Sequence, residues 1–384
     1  MQPIPWVGRS KSELFPRVWL FLAGLAGLNG ESAVSWIFKN ARAHFDEYGD
    51  QWDDLNRSVT NHILLDSKFV SPAVRHFSTP DDLLCIDNDP AAPAMVLLER
   101  TRPLFWQTFQ PPQAPLGLAV FKRKESIAEQ IQSLIRSLPG NALNLSVLQQ
   151  DPNYSSFASV APSSKVQIID YIDTARLNLV GTFDDYWAGR NKEIVRNIGK
   201  RYRALEREGL ECRLIVQRDA DSVADCIRSY GEIESRGWKA EFGTAIAPDN
   251  LQGIFYRQVM EEFCRQGEAV IYQLKFGDQT VACNLCLLRG PMMVALKITY
   301  DEEFKRFLPG FLSQYEIIRS LYGERKTEVV EYYGRVRDYH RKWTDDIRTM
   351  YHINFYRFAL LGVACKLRSY WKHRTAVKIA QPAP

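Results

Sequence analysis

The stretch EIESRGWKAEFGTAI (232–246) brings groups suited to acid–base chemistry and ligand binding to the end of one helix. Glu234 is a candidate general base, because a carboxylate can take a proton from an attacking hydroxyl or amine. Trp238 is suited to stacking on a sugar, and Lys239 to holding an anionic or hydroxyl-rich acceptor. Plainer explanations stay open, since Glu234 also fits a surface ion pair and Trp238 also fits core packing.

A second candidate site lies in TYDEEFKRFLPGFL (299–312), where a strand, a loop and a long helix follow one another. The strand ends at Tyr300, the loop carries Lys305 and Arg306, and Gly310 lies in the first turn of the helix. Free N–H groups and the positive end of the helix dipole make such a turn an anion site. The pattern favours pyrophosphate binding, although an ordinary loop–helix junction would give the same pattern.

A third polar group, Asp338, His340 and Lys342, lies in YYGRVRDYHRKWTDD (332–346) and is a candidate to complete an acceptor site. A histidine titrates near neutral pH, so His340 is an alternative base to Glu234. A histidine that is simply exposed would fit the sequence equally.

The CNLC segment (283–286) is the one C-x-x-C spacing that invites a metal or redox interpretation. It lies inside an apolar strand, where positions i and i+3 point to opposite faces. No second Cys/His pair accompanies it. We therefore expect buried structural thiols at Cys283 and Cys286 and no metal site.

The second half of the chain has a clear order of elements. A basic amphipathic helix ends at Gly209 and is followed by a strand and two helices. Three strand-like runs at 269–276, 280–288 and 292–300 predict an antiparallel meander that leads into a helix and a further strand. This order is typical of a layered α/β domain.

The first half is less regular. Short apolar runs at 82–86, 94–98 and 116–121 predict strands, and residues 124–140 predict an amphipathic helix. The segment 151–164, rich in Pro, Ser and Ala, is the best candidate for a linker.

Length and composition limit the function classes. A chain of 384 residues with 46% hydrophobic and 24% charged residues predicts about two globular domains. The net charge of +4 is too small to indicate a nucleic-acid-binding protein. Seven scattered cysteines do not indicate a disulfide framework, so we expect a reducing, cytoplasmic location.

Two segments suggest contact with a membrane. The apolar run VWLFLAGLAGL (18–28) is far shorter than a spanning helix, so a buried or membrane-dipping helix is favoured over a signal peptide. The tail CKLRSYWKHRTAVK (365–378) mixes apolar residues with cations and could touch an anionic membrane surface. We therefore expect a cytoplasmic protein with peripheral contact at the inner membrane face.

Taken together, three motifs resemble one family. The sequence is similar to the CelD-like acetyltransferases of bacterial cellulose and exopolysaccharide clusters, which have the GNAT fold and are relatives of the Fem-type peptidyltransferases. EIESRGWKAEFGTAI resembles the family's Glu-x-x-x-Gly-Trp-Lys-Gly pattern, with Ala240 for the last Gly. YDEEFKRFLPGFL resembles Tyr-Asp-x-x-Phe-x-x-x-Ser-Pro-Gly-x-Leu, with Leu308 for Ser, and YYGRVRDYHRKWTDD resembles a third pattern with a rearranged Tyr-Lys-x-x-Trp end.

The resemblance implies an acyl-CoA co-substrate, acetyl-CoA or another acyl-CoA, and a single complex in which the acceptor attacks the thioester directly. It implies that the end of the strand at Ile298 and Tyr300 lines the pantetheine arm. The backbone N–H groups of Leu308, Gly310 and Phe311 would bind the pyrophosphate, assisted by Lys305 and Arg306.

The resemblance also implies roles on the acceptor side. Glu234 or His340 would act as base, and Tyr300 or Tyr339 would protonate the leaving thiolate. The implied acceptor site comprises Trp238, Lys239, Asp338, Tyr339 and Lys342. The acceptor would be a sugar- or amine-containing precursor, with contact to a polysaccharide synthase as a further expectation.

The predicted fold class is therefore α/β, with tandem GNAT-like domains and a mixed, mostly antiparallel sheet flanked by helices. We expect an N-terminal segment at 1–30, a degenerate domain at 31–165, a CoA-binding domain at 166–360 and a basic tail at 361–384. Two other functions stay open: a non-catalytic scaffold of a polysaccharide synthesis complex, and a Fem-like aminoacyl transferase.

Overall fold

The structure, a computed structural model, describes residues 36–122, 127–236 and 246–368. The first half contains six strands and four α-helices among these residues. They are β1 (Ile37–Asn40), α1 (Ala41–His44), α2 (Gly49–Val59), α3 (Ser67–Phe77), β2 (Leu83–Asp87), β3 (Ala94–Arg102), β4 (Phe105–Thr108), β5 (Ala119–Phe121), α4 (Ile127–Ser137) and β6 (Asn144–Gln150).

The second half supplies the longer elements. They are β7 (Val166–Asn178), α5 (Phe183–Ala188), α6 (Lys192–Arg207), β8 (Cys212–Gln217), α7 (Val223–Arg236), α8 (Leu251–Arg265), β9 (Ala269–Phe276), β10 (Gln279–Arg289), β11 (Met292–Tyr300), α9 (Pro309–Glu324), β12 (Val329–Tyr332), α10 (Asp338–Arg341) and β13 (Ile347–Tyr356). Residues 359–368 are helical as well and are called the C-terminal helix.

One 13-stranded sheet runs through the described residues in the order β1-β2-β3-β4-β6-β13-β7-β12-β11-β10-β9-β8, with β5 paired to β3. Most pairings are antiparallel, and β11–β12 and β4–β6 are parallel. The predicted meander is present as β9, β10 and β11. The sheet confirms the predicted mixed, mostly antiparallel architecture.

Strand β13 joins the two halves, because it pairs with β6 on one side and with β7 on the other. The segment 151–164, expected to be a linker, lies between β6 and β7 and contains turns. The domain limits at 31–165 and 166–360 stay a prediction, and residues 1–30 and 369–384 lie outside the described residues.

Helices cover both faces of the second half of the sheet. On one face, α7 and α8 bury Tyr230 and Phe255 in a core that also includes residues of α2 and α3. On the opposite face, α6 and α9 bury Ile194 and Leu312 in a second core. None of the described helices has the length and apolar character needed to cross a membrane.

The cysteines of the CNLC segment lie in β10, as expected, on opposite faces of the sheet. Cys283 belongs to the core under α7 and α8, and Cys286 to the core under α9. Burial raises the pKa of Cys286 to about 12 and that of Cys283 well above its usual value. Both thiols therefore stay protonated at neutral pH and have the character of core side chains.

Candidate functional site

The sheet forks between β11 and β12. The two strands pair only from Met292 to Val294 with Val329 to Glu331, and they diverge beyond that point. Leu296 is an extra residue in β11, because Leu285 of β10 faces Lys297 while the next residue faces Ala295. A bulge of this kind ends regular pairing and leaves backbone groups of β11 available to a ligand.

A cleft of about 500 Å³ opens at the mouth of the fork. The residues that line the cleft come from both faces of the sheet, because α7 and α9 pack on opposite faces. Its lining includes Ile233, Glu234, Ile298, Thr299, Tyr300, Glu302, Lys305, Leu308, Pro309, Gly310, Phe311, Arg337, Tyr339 and His340. The structure thus brings together most of the predicted site residues, from three separate motifs.

The first turn of α9 forms one wall of the cleft. Leu308 precedes the helix with φ of 54°, a left-handed conformation that is uncommon for a residue with a side chain. Its N–H donates to the Lys305 carbonyl at 3.1 Å, and the Phe311 N–H donates to the Leu308 carbonyl at 2.9 Å. Of the three amides predicted to bind pyrophosphate, the Gly310 N–H alone has no backbone acceptor among the described residues.

Gly310 also lies close to Tyr300. A Cβ atom added at Gly310 would lie 3.2 Å from a ring carbon of Tyr300, tighter than ordinary packing allows. The Tyr300 side chain is about half exposed, at 47%, at the end of β11. The glycine therefore lets the aromatic ring and the helix backbone share this wall.

Glu234 lies on the opposite wall and is only 3% exposed. Its Oε1 accepts a hydrogen bond from the Tyr230 hydroxyl at 3.2 Å, and its Oε2 accepts one from the Ile246 N–H at 2.9 Å. Glu234 is therefore a buried side chain and not the surface acid that the sequence left open. The carboxylate is held in a fixed orientation, as a general base requires.

His340 has a different hydrogen-bonding role. Its Nδ1 accepts the Arg337 N–H at 3.1 Å, so the neutral ring carries its proton on Nε2. Partial burial, followed by the charge of Arg337, lowers the pKa of His340. The neutral ring offers the cleft a hydrogen-bond donor, and this geometry suits a polarising group better than a base.

Tyr339 is fixed against α9. Its hydroxyl donates to the Gly310 carbonyl at 3.2 Å, and its ring packs edge-on to Phe311 with 4.9 Å between centroids. Burial raises the pKa of Tyr339. The Tyr339 hydroxyl already donates its proton to the Gly310 carbonyl. Tyr300 is therefore better placed than Tyr339 to give a proton to a ligand.

Three other predicted residues, Arg306, Asp338 and Lys342, are not among the described residues that line the cleft. Arg306 is exposed and pairs with Glu208 at 2.7 Å, while Lys342 pairs with Glu193 of α6 at 3.0 Å. Asp338 is exposed at the start of α10. Trp238 and Lys239 lie outside the described residues.

Three polar residues near the cleft were missed in the sequence. Asp301 is fully buried, and its Oδ2 lies 3.3 Å from the Arg236 guanidinium, which ties the end of α7 to the loop after β11. Tyr230 precedes Glu234 by four residues, a helical spacing that could have indicated their contact. Nothing in the sequence indicated the pairing of Arg236 with Asp301.

Residues 192–341 match the family model described as an acetyltransferase (GNAT) domain. This region is a GNAT domain. It contains the fork, α9 and every residue of the cleft lining. The predicted fold class is confirmed, and the protein is an acyltransferase enzyme.

Two solved structures are similar over 83% and 80% of the chain, which extends the fold likeness beyond the GNAT domain. FemX is 8% identical with a TM-score of 0.52, and the match covers 80% of this chain and 96% of FemX. The C-terminal domain of a proposed lysylphosphatidylglycerol synthetase from Agrobacterium fabrum is 12% identical with a TM-score of 0.51, covering 83% and 96%. No curated protein matches the chain.

Proposed function

We propose that the protein transfers an acyl group, acetyl in the first instance, from acyl-CoA to a hydroxyl or amine of a polysaccharide or glycolipid precursor. The observation that carries this proposal is the cleft that joins the first turn of α9 to Glu234 across the fork. One cavity would thus hold the anion of the donor on one wall and the base on the opposite wall.

The donor would bind along α9 and β11. The Gly310 N–H and the positive end of the α9 dipole would hold the pyrophosphate, with the Lys305 ammonium near the mouth. Backbone groups of β11 beyond Val294, which have no partner on β12, would bind the amide arm of the donor. The thioester would then lie deep in the fork.

The transfer itself needs three groups. Glu234 takes the proton from the acceptor hydroxyl or amine as the acceptor forms its bond to the acyl carbon. The His340 Nε2–H is a candidate donor to the thioester oxygen. The carbon–sulfur bond breaks, and the thiolate takes a proton from the Tyr300 hydroxyl.

A CelD-like role in exopolysaccharide synthesis is supported by the three sequence motifs together. The acceptor would therefore be a saccharide precursor made at the membrane. Transfer of label from acetyl-CoA carrying ¹⁴C in the acetyl group to an extract of envelope saccharides tests the proposal. The expected result is label in a saccharide fraction, and release of free acetate alone would contradict it.

A Fem-like aminoacyl transfer is the second candidate, and one observation favours it. The outer face of α6 is exposed and basic through Lys192, Arg196, Lys200, Arg203 and Arg207. Such a face suits a polyanionic donor such as an aminoacyl-tRNA. Parallel assays with labelled acetyl-CoA and labelled aminoacyl-tRNA separate the two candidates, because only the true donor transfers its acyl group.

We also propose that the C-terminal helix contacts an anionic membrane surface. Leu360, Val363 and Leu367 are exposed at 75%, 44% and 55% and share one face of the helix. The opposite face packs on the chain, since a Cβ at Gly362 would meet the Ser164 carbonyl at 2.1 Å. Arg368 lies beside this apolar face, and the sequence that follows the helix adds three cations, Lys372, Arg374 and Lys378, so anionic lipid would complement this segment.

A further inference from the structure

A second, smaller pocket of about 170 Å³ lies deeper in the fork. Residues Val294 to Lys297 of β11 line it, next to the stretch of the same strand that lines the cleft. Tyr256 of α8 forms a second wall, and Gln113 comes from the first half of the chain. The pocket therefore lies where both halves meet the reaction site.

Two residues that line this pocket each carry a buried polar atom with no hydrogen-bond partner among the described residues: the Tyr256 hydroxyl and the Gln113 Oε1. The two residues are 0% and 7% exposed. Burying a polar group without a partner is unfavourable, so such atoms are usually satisfied by a ligand or water. A matched donor and acceptor in one small pocket points to a ligand that needs both.

The charges around Tyr256 have both signs. The Lys297 Nζ lies 5.2 Å from the centre of the Tyr256 ring. Burial, followed by the nearby Glu234 carboxylate, raises the pKa of Tyr256, so its hydroxyl keeps its proton and can donate it in a hydrogen bond. With one cation and one anion acting on the same site, neither an ammonium nor a carboxylate ligand is favoured over a neutral one.

We propose that this pocket binds a neutral hydroxyl of the acceptor, so that the acceptor is a polyol such as an uncharged hexose and not a cationic amine. The Tyr256 hydroxyl donates to the ligand oxygen, and the ligand hydroxyl donates to Gln113 Oε1. The inference rests on the proposed function and narrows its acceptor from "hydroxyl or amine" to hydroxyl.

The test measures binding of two matched probes to the full chain by saturation-transfer NMR, with and without acetyl-CoA. The probes are methyl β-glucoside and its 2-amino-2-deoxy counterpart, under conditions in which the amine is protonated. We expect saturable binding of the neutral glucoside and weaker binding of the amino sugar. Tyr256→Phe and Gln113→Leu should each weaken glucoside binding by about tenfold, because each leaves one hydrogen bond unmade.

Tyr272→Phe is the matched control. Tyr272 is fully buried, and its hydroxyl also has no partner among the described residues, but it lies in the core under α9 on the opposite face of the sheet. This variant should bind the glucoside as the wild type does. Thermal unfolding of all three variants shows whether the fold is kept.

Three results would overturn the inference: no glucoside binding by the wild type, equal or tighter binding of the amino sugar, or unchanged glucoside binding by folded Tyr256→Phe. Calorimetry with acetyl-CoA on the same samples keeps this failure distinct from failure of the proposed function. A protein that binds acetyl-CoA but not the glucoside keeps its donor and loses the acceptor inference.

Discussion

Glu234 was the candidate base in the sequence and His340 its alternative, and their hydrogen bonds distinguish the two side chains. Glu234 accepts two hydrogen bonds that orient its carboxylate, whereas the Nδ1 lone pair of His340 is already used by the Arg337 N–H. A base needs a free lone pair facing the acceptor. We therefore propose that Glu234 takes the proton.

Replacing Glu234 by Gln should lower kcat by about 10²–10⁴ without changing the affinity for acetyl-CoA. The amide keeps the size of the side chain but cannot take the proton. Steady-state kinetics and calorimetry on the same sample measure the two effects. His340→Gln is the comparison and should keep more activity than Glu234→Gln; full turnover by the Glu234 variant would show that another group is the base.

Residue types in the sequence predicted which side chains could do chemistry but not which of them meet. The motif around Gly310 indicated an anion site because proline and glycine at a helix start have local causes. The positions of Lys342 and Arg306 could not be predicted, since each pairs with an acid distant in sequence, Glu193 and Glu208. Gln113 and Tyr256 belong to no motif and are brought together only by the fold.

At the scale of elements, the C-terminal helix has its apolar face towards solvent and a glycine against the chain. The proposed reason is contact with lipid, because exposed leucines on one helix face are otherwise unfavourable. The sequence already indicated a basic, apolar tail. The side of the helix that faces the chain could not be predicted, because the close approach of Gly362 to Ser164 depends on tertiary structure.

The double variant Leu360→Ser, Leu367→Ser should reduce co-sedimentation with vesicles that contain phosphatidylglycerol by about tenfold or more, since each leucine buries apolar area worth about 1.5–3 kcal/mol. Vesicles of phosphatidylcholine alone should bind weakly. Val180→Ser is the control, because Val180 is 77% exposed elsewhere on the surface. Equal sedimentation of the double variant and the wild type would contradict membrane contact through this helix.

At the scale of the whole molecule, a buried polar cluster joins the two halves. Arg348 of β13 donates to Asp151 at 2.9 and 2.5 Å and to Glu331 of β12 at 2.6 Å. His62, from the first half, is fully buried, and its Nε2 lies 2.8 Å from the Tyr333 hydroxyl at the end of β12. These contacts lie behind the fork and hold the β12 side of it in place.

His62 should make stability fall at mildly acidic pH. Burial, with smaller contributions from Arg348 and Arg289, lowers the pKa of His62 from 6.5 to about 3. Below about pH 6.5 the unfolded chain binds a proton that the folded chain does not, so stability is complete above that pH and is lost as the pH falls towards 3. The slope contributed by one such group is about 1.4 kcal/mol per pH unit.

Urea unfolding of wild type and His62→Gln across this range measures the slope. Gln keeps an N–H group that can donate to Tyr333, but it does not titrate. The free energy of unfolding of the variant should therefore vary less steeply with pH, by the contribution of about one bound proton. Identical slopes in the two proteins would show that His62 is not buried in its neutral form.

The order of the helices and strands in the second half was predicted from the sequence. The strand pairing that connects the two halves of the chain was not. Periodicity and turn residues located β9, β10 and β11, because these features act locally. The insertion of β13 between β6 and β7 is a pairing between the end and the middle of the chain. No local pattern in the sequence carries that information.

We propose above all that the fork binds acyl-CoA against the first turn of α9. Calorimetry with acetyl-CoA on wild type, Gly310→Asp and Gly323→Asp tests it most directly. Gly323 lies near the far end of the same helix, where an added Cβ meets nothing within 4 Å, so it controls for charge and helix propensity. We expect saturable binding to the wild type and to Gly323→Asp, and loss of binding in Gly310→Asp. Absence of binding to the wild type, or equal binding to all three proteins, would contradict it.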